Sequence, residues 1–328
     1  MPTHTICTLA LIVCLVAPSY AQRPGGGGGA GGRVHTATES HPLRLIPADT
    51  NPPDKPVVSI EFEDEERHIA SNGMPNHKIG KFPNRSNPNS ISTQDYNVDI
   101  NAEPEPANEI TSVNRNDQPG PPNIPFGFAI NGIFFEPGTA EFWMGDRNSG
   151  WNYEALGGAV PLGLDANYGH VQPNGAYHYH GLPTGLLDEL EFSKDKHSPL
   201  VGWAADGYPI YALYGYKDPK DPDSDIVELH SSYQLKKGNR PGGDDGPGGK
   251  YDGAFTQDYE YVEGVGDLDE CNGRFTVTPQ FPEGTYAYFL TEAWPVIPRN
   301  FRAEPVNIKD HNRRGPARST GPRPPRKK

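Results

Sequence analysis

Phe126-Gly127-Phe128-Ala129-Ile130-Asn131-Gly132-Ile133-Phe134-Phe135 sets an Asn-Gly pair between two apolar flanks. Asn and Gly adopt positive φ more readily than other residues, so the pair predicts a type I′ turn and a β-hairpin. Working outward, residues 57–63 place Val58, Ile60 and Phe62 on one face at period two, the pattern of a half-buried strand. Further strands are expected at residues 176–181, 200–205, 208–211 and 285–291. In the last, Tyr286, Tyr288 and Leu290 alternate with Ala287, Phe289 and Thr291. The one helix candidate is 184–190, with Thr184 as its cap and Leu186, Leu187 and Leu190 as its apolar side. Turn formers crowd 72–77 and 82–89, which predicts an irregular loop held by asparagine side chains bonded to backbone. Residues 217–253 read as a long excursion from the sheet. No internal repeat stands out.

The composition points the same way. Among 328 residues there are 38 Gly and 36 Pro, and only 34% are hydrophobic. That excludes a helical bundle, a coiled coil and a doubly wound α/β enzyme, which need long uninterrupted periodic segments. The expectation is a mainly β protein: one sandwich-like domain over 57–302, with long irregular loops and disordered ends. Its core must be filled by aromatic residues, which make up 10% of the chain.

The ends have their own logic. Residues 6–17 form an apolar run too short to span a membrane, and Ser19 and Ala21 are small residues at cleavage-site spacing. Residues 1–21 therefore read as a signal peptide and the protein as secreted or extracytoplasmic, although no basic residue precedes the run. No other segment is long enough for a transmembrane helix. Residues 22–56 read as a Gly/Pro-rich linker. Cleavage would leave Cys271 as the only cysteine, so no internal disulfide framework is expected. From Arg299 onward ten basic residues face two acidic ones, whereas the rest of the chain is strongly acidic. The tail at 303–328 is expected to be disordered, a basic arm that suits contact with an anionic surface or polymer. An acidic body disfavours nucleic acid.

Tyr177-His178-Tyr179-His180-Gly181 is the segment most suggestive of chemistry. On a strand, His178 and His180 share a face about 7 Å apart, close enough for both imidazoles to reach one ion. Metal sites usually take three or more protein ligands. His170 lies just upstream, and Pro173-Asn174-Gly175 is a turn that can fold it back above the pair. Asp165 and Asp206 are the carboxylate candidates, as ligands or as groups behind an imidazole. Asp206 follows a strand expected to pair with the histidine strand. His77, His197 and His230 are weaker candidates. The competing reading packs Tyr and His into a half-buried sheet with inert histidines. No nucleophile elbow, zincin helix, P-loop or dinucleotide fingerprint is present, so no nucleotide cofactor is expected.

The Tyr-His-Tyr-His-Gly run resembles the YHYH domain family. So do Gly169-His170 upstream, Asp206-Gly207-Tyr208-Pro209-Ile210-Tyr211 downstream, and the segments around Asp269–Arg274, Thr278–Pro282 and Gly284–Phe289. The resemblance spans roughly residues 60 to 300. It implies an exported protein, and the family has no established biochemical activity. Two functions of different class stay open. In one, His170, His178 and His180, with Asp165 or Asp206, hold copper or zinc beside an open coordination position. In the other, the chain is a secreted binding or matrix module that contacts glycan or protein through Trp143, Trp151 and Trp203, and its histidines are structural.

Overall fold

The hairpin at 126–135 lies at the centre of an eight-stranded sheet. In the computed structural model, which describes residues 34–115 and 123–308, the chain is mainly β with one short α-helix. The signal-peptide segment, the start of the linker and most of the basic tail lie outside the described residues. Those from Val34 on belong to one unit.

Across the sheet the strands run Gly273–Thr276, Thr285–Leu290, Pro209–Ala212, Gly202–Ala204, Gly127–Ala129, Phe134–Phe135, Tyr177–Tyr179 and Gly169–Val171. Neighbours are antiparallel except for two parallel pairs, Phe134–Phe135 with Tyr177–Tyr179 and Pro209–Ala212 with Thr285–Leu290. At the centre, Gly127 and Gly202 allow a close approach. A Cβ on Gly127 would lie 2.2 Å from the Trp203 carbonyl oxygen, and one on Gly202 would lie 2.3 Å from that of Phe128. A second sheet of three antiparallel strands is built from Val58–Glu63, Glu66–Ser71 and Tyr96–Asn101.

The turn of the central hairpin departs from expectation. A type I′ turn needs positive φ at both Asn131 and Gly132, and only Gly132 has it, at 79°. Gly132 N–H donates to the Ala129 carbonyl and Ala129 N–H to that of Ile133. The loop is therefore three residues long, with glycine in the left-handed position.

The core is aromatic, as the composition required. Phe126, Phe128, Phe135, Tyr177, Tyr179, Tyr286 and Tyr288 are all fully buried, each burial stabilising by about 1.5–3 kcal/mol. Phe126 meets Tyr288 edge to face at 4.9 Å. The helix Thr184–Glu189 buries Leu186 and Leu187, as its pattern predicts. Thr184 is not its cap, however. Pro183 holds that position, and Thr184 Oγ1 donates to the Ala166 carbonyl.

Three features of the architecture were not expected. First, residues 34–56 carry no strand but run along the fold, with Ile46 bridged to Asp165 and Thr50 to Ile79. Leu43 and Leu45 supply the apolar side that docks this segment. Second, the excursion at 217–253 is organised around a buried ion cluster. The Arg240 side chain is fully buried and donates to Asp258 Oδ1 and Oδ2 at 2.6 Å, and it also pairs with Asp252. Third, Gly202–Ala204 does not pair with the histidine strand, because the two strands of the central hairpin lie between them.

The asparagine-rich loop does what its composition suggests. Asn84 Nδ2 donates to the Gly163 carbonyl, and Asn87 and Asn89 both donate to the Val171 carbonyl on the last strand of the sheet.

Candidate metal centre

His170 and His178 stand directly opposite each other in the antiparallel pair Gly169–Val171 and Tyr177–Tyr179. The reversal between them runs through residues 173–175, with Gly175 at a φ of 87° and its N–H bonded to the Gln172 carbonyl. His180 follows one step beyond Tyr179 on the same face. The turn thus puts His170 on a strand, in register with His178, rather than on a loop above it.

The three rings meet. His178 Nε2 lies 3.0 Å from His180 Nε2, which lies 3.1 Å from His170 Nε2. Ring centroids are 4.6, 4.7 and 4.8 Å apart, and the planes cross at 68° to 77°. His178 and His180 are 2% and 3% exposed, while His170 is half-buried and forms the side nearer solvent.

Proton positions make this trio unusual. His170 Nδ1 donates to the Leu162 carbonyl at 2.9 Å, so its neutral ring presents a bare lone pair at Nε2. His178 Nδ1 faces the Ala176 carbonyl at 3.5 Å, which favours the same tautomer. His180 Nδ1 is buried and faces the Pro137 carbonyl without a close hydrogen bond. A proton on His180 Nε2 would serve only one of its two neighbours and a proton on Nδ1 neither, so a nitrogen–nitrogen approach is left with nothing between. Burial, then the neighbouring His178 and His170, holds His180 well below the ordinary histidine range; burial also lowers His170. Both rings are therefore neutral at pH 7, the form that ligates. A tetrahedral ion about 2.0–2.1 Å from each nitrogen spaces its ligands about 3.3 Å apart, close to the spacing here.

The other face of the same strand is filled differently. Tyr177 Oη donates to both oxygens of Asp165, at 3.0 and 2.9 Å. Asp165 also accepts from the backbone of Gly80, Asn167 and Gly169, so it is fully engaged on the tyrosine side. Tyr179 Oη bonds His77 Nε2 at 2.6 Å and accepts from Asn131 Nδ2 at 2.9 Å. His77 belongs to this network and not to the cluster. Asp206 is also elsewhere: its partners are Tyr288 Oη and the backbone N–H groups of Tyr208, Arg302 and Ala303. Its expected place beside the imidazoles depended on the strand pairing that the central hairpin prevents. His197 packs against Tyr211 and Tyr216, and His230 pairs with Asp267 at the surface. Cys271 is buried, and desolvation pushes its thiol up to about 12.

Residue-by-residue reading missed Glu136. It follows Phe134–Phe135, whose parallel register pairs Phe134 with His178, so Glu136 falls beside His180 on the histidine face. Its N–H donates to the Tyr179 carbonyl, and Gln172 Nε2 holds its carboxylate at 2.6 Å. The signal was the odd acidic residue ending an apolar strand. The tryptophans of the binding-module reading are each partly covered: Trp203 lies under the Arg67 guanidinium at 3.3 Å, and Trp151 packs edge-on to Phe255. Trp143 packs on the smaller cluster around Tyr153.

A family model described as "YHYH protein" matches residues 97–303, a span that holds all three histidines. No curated protein and no solved structure matches the chain. Among the described residues no helix is long and apolar enough to cross a membrane. The chain belongs to the YHYH family.

Proposed function

We propose that this YHYH protein is exported and binds one transition-metal ion, zinc or copper, through Nε2 of His170, His178 and His180. The observation that supports it is the convergence of three imidazole Nε2 atoms on one point, two of the rings fully buried and the third half-buried, with His180 Nε2 facing both of the others. A single cation meets all three lone pairs at once, and soft-to-borderline ions suit imidazole. The Leu162 carbonyl fixes the tautomer of His170, the role a second layer of acceptors plays around bound ligands. Glu136, steadied by Gln172, stands at the rim and can take a proton from a water on the open side. When bound, such an ion would polarise that water or carry an electron. The chain's own part is to hold the rings, exclude bulk water from His178 and His180, and place a carboxylate beside them.

The test is metal content after purification without a polyhistidine tag. One zinc or copper ion per chain is expected, and it is lost in a His178→Ala/His180→Ala variant that keeps its β-sheet circular dichroism. A metal-free protein that also binds neither ion in calorimetric titration at neutral pH overturns the reading. Export is checked separately, by a mature N-terminus at Gln22 in the extracytoplasmic fraction.

A further inference from the structure

The strand order of the large sheet reads the same from either end. Two strands form a hairpin, a long segment follows, and a second hairpin returns to lie parallel beside the first. Gly127–Ala129 and Phe134–Phe135 with Gly169–Val171 and Tyr177–Tyr179 make one half; Gly202–Ala204 and Pro209–Ala212 with Gly273–Thr276 and Thr285–Leu290 make the other. The halves meet where Phe128 pairs with Trp203, flanked by Gly127 with Ala204 and Ala129 with Gly202, the register of a two-fold axis through that pair. The bonds across the axis are reciprocal: Ile130 N–H donates to the Val201 carbonyl, and Ala205 N–H to that of Phe126.

The correspondence extends to single hydrogen bonds. Gly127-Phe128-Ala129-Ile130-Asn131-Gly132 matches Gly202-Trp203-Ala204-Ala205-Asp206-Gly207 without a gap. Asn131 bonds Tyr179 Oη, and Asp206 bonds Tyr288 Oη. The loop Asp165-Ala166-Asn167-Tyr168-Gly169 matches Asp269-Glu270-Cys271-Asn272-Gly273. In each, the aspartate accepts from the N–H two and four residues on, and from a tyrosine hydroxyl, Tyr177 or Tyr286. In each, the fourth residue is left-handed, Tyr168 at 54° and Asn272 at 56°. Its carbonyl accepts from His180 in one half and Phe289 in the other. The identities fall in short, widely separated pieces joined by segments of different length and sequence, which is why no repeat stands out in the sequence.

From these matches we infer that the domain is an internal duplication with one ion site kept and one filled in. Register assigns Arg274, Ala287 and Phe289 to the positions of His170, His178 and His180. Where the first half gathers imidazoles, the second carries its own fixed cation: the Arg274 guanidinium lies 5.8 Å from the Phe289 ring and donates to the Tyr216 carbonyl. The second half is thus a latent copy of the centre. The ion-binding part rests on the metal reading above, whereas the duplication does not.

Two exchanges test it. The reverse exchange, His170→Arg/His178→Ala/His180→Phe, gives the first half the second half's residues. It is expected to fold and, without added metal, to melt no lower than the triple-alanine variant of the same positions. Melting clearly below that variant overturns the duplication. The forward exchange, Arg274→His/Ala287→His/Phe289→His in the otherwise intact chain, is titrated with zinc alone. It is expected to bind one ion more than the parent chain. A folded forward variant that gains none overturns the latent site. If the parent binds no zinc and the forward variant binds one, the duplication stands and the metal reading of the first half falls. If the forward variant does not fold, the melting comparison of the reverse exchange decides.

Discussion

The buried clusters around Arg240 and around His180 both gather ionisable side chains, and they are solved in opposite ways. Around Arg240 every strong partner is present: Asp258 takes two of its nitrogens, Asp252 a third contact, and the Thr38 and Gly248 carbonyls the rest. Around His180 the count falls short, with three imidazoles facing one another and a ring nitrogen left bare. Burial alone therefore says little about function. What separates a structural cluster from a ligand site is whether the donors and acceptors close among themselves.

The comparison breaks most visibly at Arg240. Arg240→Ala leaves the Asp258 carboxylate buried without its cation and is expected to cost about 3–5 kcal/mol in denaturant unfolding. A cost below 1 kcal/mol would mean that the cluster is not closed after all.

Asp206 sharpens the comparison as an intermediate case, a fully buried carboxylate with hydrogen bonds but no counter-charge. Burial raises it from 3.8 to about 6 against the opposing pull of Tyr288 and three backbone N–H groups. The folded chain then holds a proton that the unfolded chain has released between about pH 4 and 6. Stability contributed at this residue falls across that window as pH rises, by about 3 kcal/mol in all. The difference in unfolding free energy between the parent and Asp206→Asn should follow that slope, and a flat difference would remove the effect.

Supplying the missing partner to the histidines should stabilise only the folded state. Zinc at a hundredfold excess over its dissociation constant is expected to add about 2.7 kcal/mol, and none in His178→Ala/His180→Ala. Equal thermal shifts in both proteins would place the ion elsewhere.

The smallest effect belongs to the hydrogen-bond network on the tyrosine face. Tyr179→Phe strips the hydroxyl that His77 and Asn131 share and is expected to cost about 1–2 kcal/mol while leaving metal content unchanged. Loss of metal in this variant would show that the two faces of the strand are coupled.

Local sequence carried much of this. The hairpin at 126–135, the helix leucines and the shared face of His178 and His180 follow from period and turn chemistry within ten residues. The placement of Asp165 and Asp206 does not, because their partners arrive from Gly80 and from Ala303, about a hundred residues away in the second case. Composition misled at residues 34–56, where Leu43, Leu45 and Ile46 dock a segment that five prolines make look like a spacer. Glu136 became legible only once parallel pairing set it beside His180.

The asparagine loop has a consequence beyond geometry. Gly169–Val171 is the last strand of the sheet, and its free rim would ordinarily be a template for another chain to zip onto. Asn87 and Asn89 both spend their amides on the Val171 carbonyl, an acceptor such an intruder would use. Side-chain amides offer no continuing backbone ladder, so the strand that carries His170 ends in a surface that resists polymerisation. The sheet is thereby kept from growing at the edge nearest the three histidines.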